Sequence, residues 1–513
     1  METSPDIFMP SSPVRWLLAT NQRNLLYMLA AGLVMPPLGF GKKYYLDSLN
    51  HYPGWIPVFA DHAPKSALEY AVSERRGLTP CLAVLNLDPL RGQVLGITRE
   101  GGVREIQFPE GLDGSVAALL IPAPLPVHWI TTILFASRED KAACEADAQD
   151  FGNVPLADFK REAQPQAFAK APDWPWPPAS GPGSPAPALD VGIPFAAGAM
   201  MALLFQLGNI GDTALAACRI AFDPASPLDS PPSDPLLQPL PEWLLTGRCP
   251  QGGDVSRILF WGAVERVAAS RFSGEGATAW DVVLAYLETV GAGLDERMRS
   301  ALAKLTGDLR TIAGFADSTI TEIFERHPKT FSRVMALFFL RERCAELLEF
   351  KHPLLTESDV VAAALLFAAR EGWLGLPLAL RGNATLQAAI TQRMAALAHR
   401  SGGTGLDLGT PPARPLLLRE LFEPGTKGWS KSQKEAALWL AREQKWDCIQ
   451  TRIILGKGDY RMEVNGAGLH ILVDGEAKAV LTEVEPARFF PYLAQAQIAD
   501  KPDRKAREIL RKE

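Results

Sequence analysis

The sequence predicts a multidomain α+β protein: an N-terminal mixed α/β domain, a central irregular all-α domain and a small C-terminal α+β domain on an antiparallel sheet. Three observations predict it. At 513 residues the chain exceeds the size at which a single hydrophobic core keeps growing. Its 42 prolines are unevenly spread and mark boundaries. The hydrophobic pattern also changes along the chain, from mixed strand and helix runs to unbroken helical spacing and then to short runs between glycine turns. The segments read as a first domain over 1–160, a Pro-rich linker over 161–190, a helical domain over 191–403 and a C-terminal domain over 412–513.

The elements of the first domain follow in order. Arg15-Trp-Leu-Leu-Ala-Thr20 has strand character, and Asn21 is placed to cap the helix that Gly32 ends. A strand is expected at Trp55–Ala60, a helix at Ser66–Arg76 and a buried strand at Cys81–Leu87. Val94–Thr98 and Val103–Phe108 flank Arg99-Glu-Gly-Gly102, a hairpin signal. Ala117–Ile121 and Trp129–Phe135 complete a sheet of about six strands, closed by a helix at Glu139–Gln149. Gln164–Leu189 is a linker by composition, with Trp174 and Trp176 available to pack on a neighbouring surface or to capture a partner.

In the helical domain the clearest segments are Ile258–Ser270, Ala279–Val290, Glu296–Thr306, Lys329–Phe350, Ser358–Glu371 and Ala384–Arg400. Thr356 with Asp359 forms a capping-box pattern, and Asn383 is an N-cap candidate. Val191–Gly208 is largely apolar but short of the ~20 residues a bilayer span needs, so it reads as a buried core helix. In the tail, Ser430 opens an amphipathic basic helix. Short strands follow at Cys448–Leu455, Tyr460–Val464, Leu469–Val473 and Ala477–Val484.

Composition narrows the function classes. The chain is 47% hydrophobic and 21% charged, as globular proteins are. A net charge of −6 does not suggest a dedicated nucleic-acid binder, although from Pro412 onward 18 Lys+Arg stand against 15 Asp+Glu. Six dispersed cysteines with no CxxC pair read as reduced thiols, and the polar start METSPDIFMPSSP is unlike a signal peptide. A cytoplasmic, bacterial protein is expected, working with other proteins and not with a membrane; nucleic acid is a further possible partner.

No constellation specifies a cofactor or a metal. Asp459 with Glu476-Ala-Lys478 has the order of residues that a metal-dependent nuclease uses, but Asp474-Gly475 reads as the turn beside it. The basic face of the C-terminal helix, with Lys431, Lys434, Arg442 and Lys445, followed by Arg452 on the next strand, is a candidate nucleic-acid contact diluted by Glu435, Glu443 and Asp447. His51 and His62 are able to converge around Tyr52-Pro53-Gly54.

The strand at Arg15–Thr20, the helix ending at Ala31-Gly32-Leu33 and the strand at Trp55-Ile-Pro-Val-Phe59 resemble the opening of the DarT-type ADP-ribosyltransferases. The resemblance covers residues 15–59. It implies that Arg15, Asn21 and Arg23 contact NAD and that a later carboxylate, for which Glu139 is the positional candidate, acts on the ribose. Taken by itself, Arg15 reads more readily as a surface strand residue than as an NAD contact. Three functions are therefore expected to compete. The first is a non-catalytic subunit or adaptor of a multiprotein assembly. The second is an NAD-dependent ADP-ribosyltransferase-like enzyme acting through the N-terminal domain. The third is a nucleic-acid-binding protein acting through the basic C-terminal domain.

Overall fold

A computed structural model describes residues 14–40, 44–151, 154–174, 176–178, 181–182, 191–208, 211–224, 234–249, 252–270, 278–312, 320–340, 352–376, 378–381, 384–402, 405–409, 450–455, 458–465, 468–473 and 476–481. The chain divides into two compact units, residues 1–190 with 398–411, and residues 191–397 with 412–513.

The first unit is built on a mixed eight-stranded sheet. Its strands are β1 (Trp16–Asn21), β3 (Trp55–Ala60), β4 (Pro80–Leu85), β5 (Gly92–Thr98), β6 (Val103–Phe108), β7 (Val116–Pro122), β9 (Ile130–Phe135) and β10 (Lys160–Ala163), ordered β10-β9-β4-β1-β3-β7-β5-β6. A separate two-residue ribbon pairs β2 (Leu33–Val34) with β8 (Leu125–Pro126). All pairs in the large sheet are antiparallel except β9 with β10. β1 is buried along its whole length, which is why Trp16-Leu-Leu-Ala reads as a continuous apolar run.

The sheet holds one strand, β10, beyond the seven whose ranges the sequence pattern gave. β10, Lys-Arg-Glu-Ala, carries charge where strands are usually apolar, as suits an edge. Helix α1 (Gln22–Ala31) begins and ends where expected: Asn21 accepts from the Asn24 amide, and Gly32 caps the other end at φ 74. Helix α2 (Lys65–Ala71) is shorter than the sequence spacing implied. It stops at Val72, where the Ser73 hydroxyl donates to the Tyr70 carbonyl and competes with a further turn. Helix α3 (Arg138–Phe151) leads back towards the edge strand, and α4 (Pro165–Ala169) follows it.

Beyond α4 the stretch read as linker packs onto the sheet. Trp176 is 6% exposed and belongs to the core formed by Leu17, Tyr52, Trp55, Phe59 and Leu120. Farther along, Arg91 and Asp407 exchange backbone hydrogen bonds, and His399 donates from Nε2 to the Pro124 carbonyl at 2.8 Å, so His399 and Asp407 are held on this unit.

The second unit is helical over residues 191–397. Its helices are α5 (Gly192–Leu207), α6 (Asp212–Phe222), α7 (Leu240–Thr246), α8 (Val255–Ser270), α9 (Ala279–Gly291), α10 (Glu296–Ile312), α11 (Ile320–Arg326), α12 (Thr330–Leu340), α13 (Glu357–Gly375), α14 (Leu378–Arg381) and α15 (Ala384–Gly402). α5 is buried on nearly every side and packs chiefly along α13. A side chain at Gly198 would collide with Met394, so glycine allows α5 and α15 to approach closely. No helix among the described residues is long and apolar enough to cross a membrane. The expected capping box at Thr356 and Asp359 is present. Asp359 is fully buried and is held by Arg333 through Nε at 2.9 Å and Nη2 at 3.1 Å. The Asn383 cap, residues 341–350 of the expected Lys329–Phe350 helix, and the basic helix after Ser430 lie outside the described residues.

The four C-terminal strands form the expected antiparallel meander. β11 (Gln450–Leu455), β12 (Gly458–Asn465), β13 (Gly468–Val473) and β14 (Glu476–Leu481) pair in sequence order.

Candidate functional site

The densest polar cluster in the first unit lies where β1 passes into α1. Thr20, Asn21, Gln22, Asn24, Asp47 and Ser48 are all buried there. The Asp47 carboxylate accepts from the Thr20 hydroxyl at 2.6 Å, the Tyr44 hydroxyl at 2.7 Å, Asn24 Nδ2 at 2.9 Å and the Leu49 amide at 3.0 Å. Burial outweighs these hydrogen bonds and raises the Asp47 carboxyl to about 6. The same burial, reinforced by Asp47, pushes the Tyr44 phenol well above its usual range.

Asn21 sits in this cluster as a backbone clamp. Its Oδ1 accepts from the Asn24 amide at 3.0 Å, and its Nδ2 donates to the Ala71 carbonyl at 3.0 Å. Gln22 bridges to Gly77 and Thr79 in the same manner. The Ser48 hydroxyl donates to the Ala19 carbonyl at 2.6 Å. Together these bonds fasten residues 44–50 and 71–79 to the β1–α1 junction. Arg23, the second residue of α1, pairs with Asp147 of α3 at 2.8 Å.

Arg15 lies at the opposite end of β1. It lines an open cleft of about 910 Å³, together with Asp61, His62, Arg99, Asp113 and Trp174. The Arg15 amide donates to Asp61 Oδ1 at 3.0 Å, and the Asp61 amide returns a bond to the Arg15 carbonyl at 2.7 Å. These bonds hold Asp61 at φ 57, a left-handed conformation unusual outside glycine. Asp113 is engaged by Arg104 and Ser115, which hold its carboxyl down at about 2. The cleft thus presents two guanidinium groups, a histidine and an indole on a rim shared with carboxylates.

The four residues linked to NAD chemistry do not surround one cavity. Six strand residues, roughly 20 Å at about 3.3 Å each, separate Arg15 from Asn21. Glu139 is exposed in the first turn of α3, two turns from the residue that Arg23 engages. His51 and His62 likewise do not converge, because β3 runs between them: His51 stacks on Tyr70 at 4.3 Å, whereas His62 lines the cleft.

Of the basic residues proposed for nucleic acid, Lys431, Lys434, Arg442 and Lys445 lie outside the described residues, and Arg452 pairs in register with Arg461 on β11 and β12. Asp459 and Glu476 lie on β12 and β14, which are not neighbours. No group of His, Cys, Asp or Glu among the described residues is arranged to hold a metal ion.

Two features escaped the sequence reading. The Asp47 cluster joins residues more than twenty positions apart, a separation that no local motif signals. The second is an aromatic group in which His51, Tyr52 and Phe59 meet Trp174 and Trp176, with Tyr70 stacked on His51. Burial lowers the His51 imidazole and raises the Tyr52 phenol to about 12. The tryptophans themselves were the available signal, since two indoles in a solvent-exposed linker are costly to hydrate.

No family model matches the chain, and no curated protein matches it. Two solved structures are similar to it. DarT from Thermus sp. 2.9 in complex with carba-NAD+ is 16% identical with a TM-score of 0.23, covering 31% of this chain and 100% of that one. The same organism's DarT in complex with NAD+ is 14% identical with a TM-score of 0.24 and the same coverage.

Proposed function

We propose that the chain is a non-catalytic subunit or adaptor of a multiprotein assembly, acting through binding surfaces on architecturally unlike modules. The observation that supports this most is the use to which the first unit puts its polar side chains. Asn21 is bound to the backbone on both sides, Arg23 is paired with Asp147, and Asp47 accepts four hydrogen bonds. Groups so engaged hold segments in place and are poorly disposed to exchange partners with a reacting molecule. The protein partners, the cytoplasmic setting and the bacterial source belong to this proposal. Its test is recovery of the tagged chain from its source cells, with the partners and their stoichiometry read by mass spectrometry.

One observation favours a second reading, an NAD-dependent ADP-ribosyltransferase-like activity in the first unit. Arg15 lines an open cleft of about 910 Å³, a volume in the range that small-molecule sites occupy. Arg99 lies on the same rim and supplies a second cation for a phosphate-bearing cofactor. On this reading NAD raises the melting temperature of the wild-type chain, and Arg15→Ala abolishes the rise. An unchanged melting curve at saturating NAD discards it.

A further inference from the structure

The cleft that Arg15 lines lies at one end of the large sheet, where four neighbouring strands begin or stop together. Trp16 at the start of β1 stands opposite Ala60 at the end of β3, Phe59 stands opposite Ala118 of β7, and Thr98 at the end of β5 stands opposite Val116. Arg15 and Arg99 are the residues just beyond β1 and β5 at that end. Three strand spacings of ~4.8 Å each separate them, so their backbones stand about 14 Å apart. Two extended arginine side chains close such a gap on a single anion. Asp61, Asp113, Asp173 and Trp174 share the rim.

These groups differ in how far they are already engaged. Asp113 is taken up by Arg104 and Ser115. The Arg15 and Arg99 guanidinium groups are exposed and make no hydrogen bond or ion pair with the described residues. Asp61 accepts from the Arg15 amide at Oδ1, which leaves its second oxygen without a partner among the described residues, and Asp173 is exposed. Trp174 is half-buried. Its ring contacts are with the buried Phe59 and Trp176, at 6.2 and 5.8 Å, so the rest of the indole is turned to the cleft. Among the described residues Asp61 is the one non-glycine residue at positive φ, and conformations of this kind cluster at ligand sites.

The rim therefore offers three chemistries. Free guanidinium groups suit a phosphate, an indole stacks on a nucleobase, and carboxylates accept from ribose hydroxyls. The charges also limit the ligand. Arg15 and Arg99 are balanced by Asp61 and Asp173, so every phosphate beyond the first meets two carboxylates and no further free cation on this rim. We infer that the cleft binds a nucleoside monophosphate, with Arg15 and Arg99 on the phosphate, Trp174 on the base, and Asp61 and Asp173 on the ribose. The inference shares the cleft of the second reading above but not its chemistry, and it stands whether or not any group is transferred.

The test is isothermal titration calorimetry on the full chain with the four common nucleoside monophosphates, adenosine, ATP and NAD. At least one monophosphate should bind. For the adenine series, adenosine should bind at least tenfold more weakly than AMP, and ATP no more tightly than AMP. Arg99→Ala, in an exposed hairpin turn, should weaken monophosphate binding at least tenfold without changing the melting temperature. No heat from any monophosphate at millimolar concentration overturns the inference, as does binding that Arg99→Ala leaves unchanged, or ATP binding tenfold tighter than AMP. The two readings of the cleft fail separately. Monophosphate binding with a melting curve that NAD leaves unchanged upholds the inference and discards the enzyme, whereas NAD binding without monophosphate binding does the reverse.

Discussion

The hydroxyl of Thr20 donates to the carboxylate of Asp47 at 2.6 Å across 27 positions of sequence, with both residues fully buried. This bond joins the end of β1 to a segment with no regular structure beyond one short 3-10 turn. Asp47→Asn replaces one acceptor oxygen with an amide N–H that faces donors. The expected cost is ~2 kcal/mol, about 4–8 °C in the melting temperature of a unit this size. Thr20→Val removes a single donor and should cost about half as much; scanning calorimetry on the two variants reads both. Equal stability in all three chains would mean that the cluster is dispensable.

Acid should destabilise the first unit. Burial holds His128 and His399 down at about 4, so both are neutral in the folded chain over a range where the unfolded chain binds protons. Their contribution is present above the ordinary histidine value near 6.5 and is lost as pH falls towards 4, by up to ~3 kcal/mol each. Asp47 acts in the opposite sense. With its carboxyl raised to about 6, its contribution is present at low pH and is lost as pH rises through 6. Two groups outweigh one, so stability should fall between pH 6.5 and 4.5. His128→Gln should flatten the dependence, and Asp47→Asn should steepen it. A melting temperature that rises on acidification contradicts this assignment.

Sequence reading captured what is local. The cap at Asn21, the left-handed Gly32, the hairpin around Arg99–Gly102 and the Thr356–Asp359 box all rest on residues within a few positions of one another. β10 was hidden because Lys160-Arg-Glu carries the charges of an edge strand. Trp176 was assigned to a linker because prolines surround it, and only Phe59 and Tyr52, more than a hundred positions away, make it a core residue. The candidate site suffered most. Arg15 lies on a cleft, but spacing along one strand could not reveal that Asn21 and Glu139 lie away from it.

Asp359 offers a sharper test in the helical unit. It is fully buried, pairs with Arg333 through two bonds and caps α13 through Thr356. Asp359→Ala leaves the Arg333 charge uncompensated and the cap broken, at an expected cost of ~3–5 kcal/mol. Arg333→Met in the same chain should recover part of the loss. If calorimetry finds Asp359→Ala as stable as wild type, the pair does not hold the unit together.

Arg23 and Asp147 tie α1 to α3 with both side chains partly exposed. Arg23→Ala should cost no more than about 1 kcal/mol. The exchanged pair Arg23→Asp with Asp147→Arg should be more stable than either single change. The same Arg23→Ala chain also bears on the enzyme reading, because an undiminished thermal response to NAD would remove Arg23 from cofactor binding.

The most direct test of the central claim is recovery of the tagged full chain from its source cells, with and without nuclease, followed by quantitative mass spectrometry. An assembly subunit should bring down the same protein partners in fixed stoichiometry under both conditions. A chain recovered alone, or partners that disappear on nuclease treatment, would contradict the subunit account.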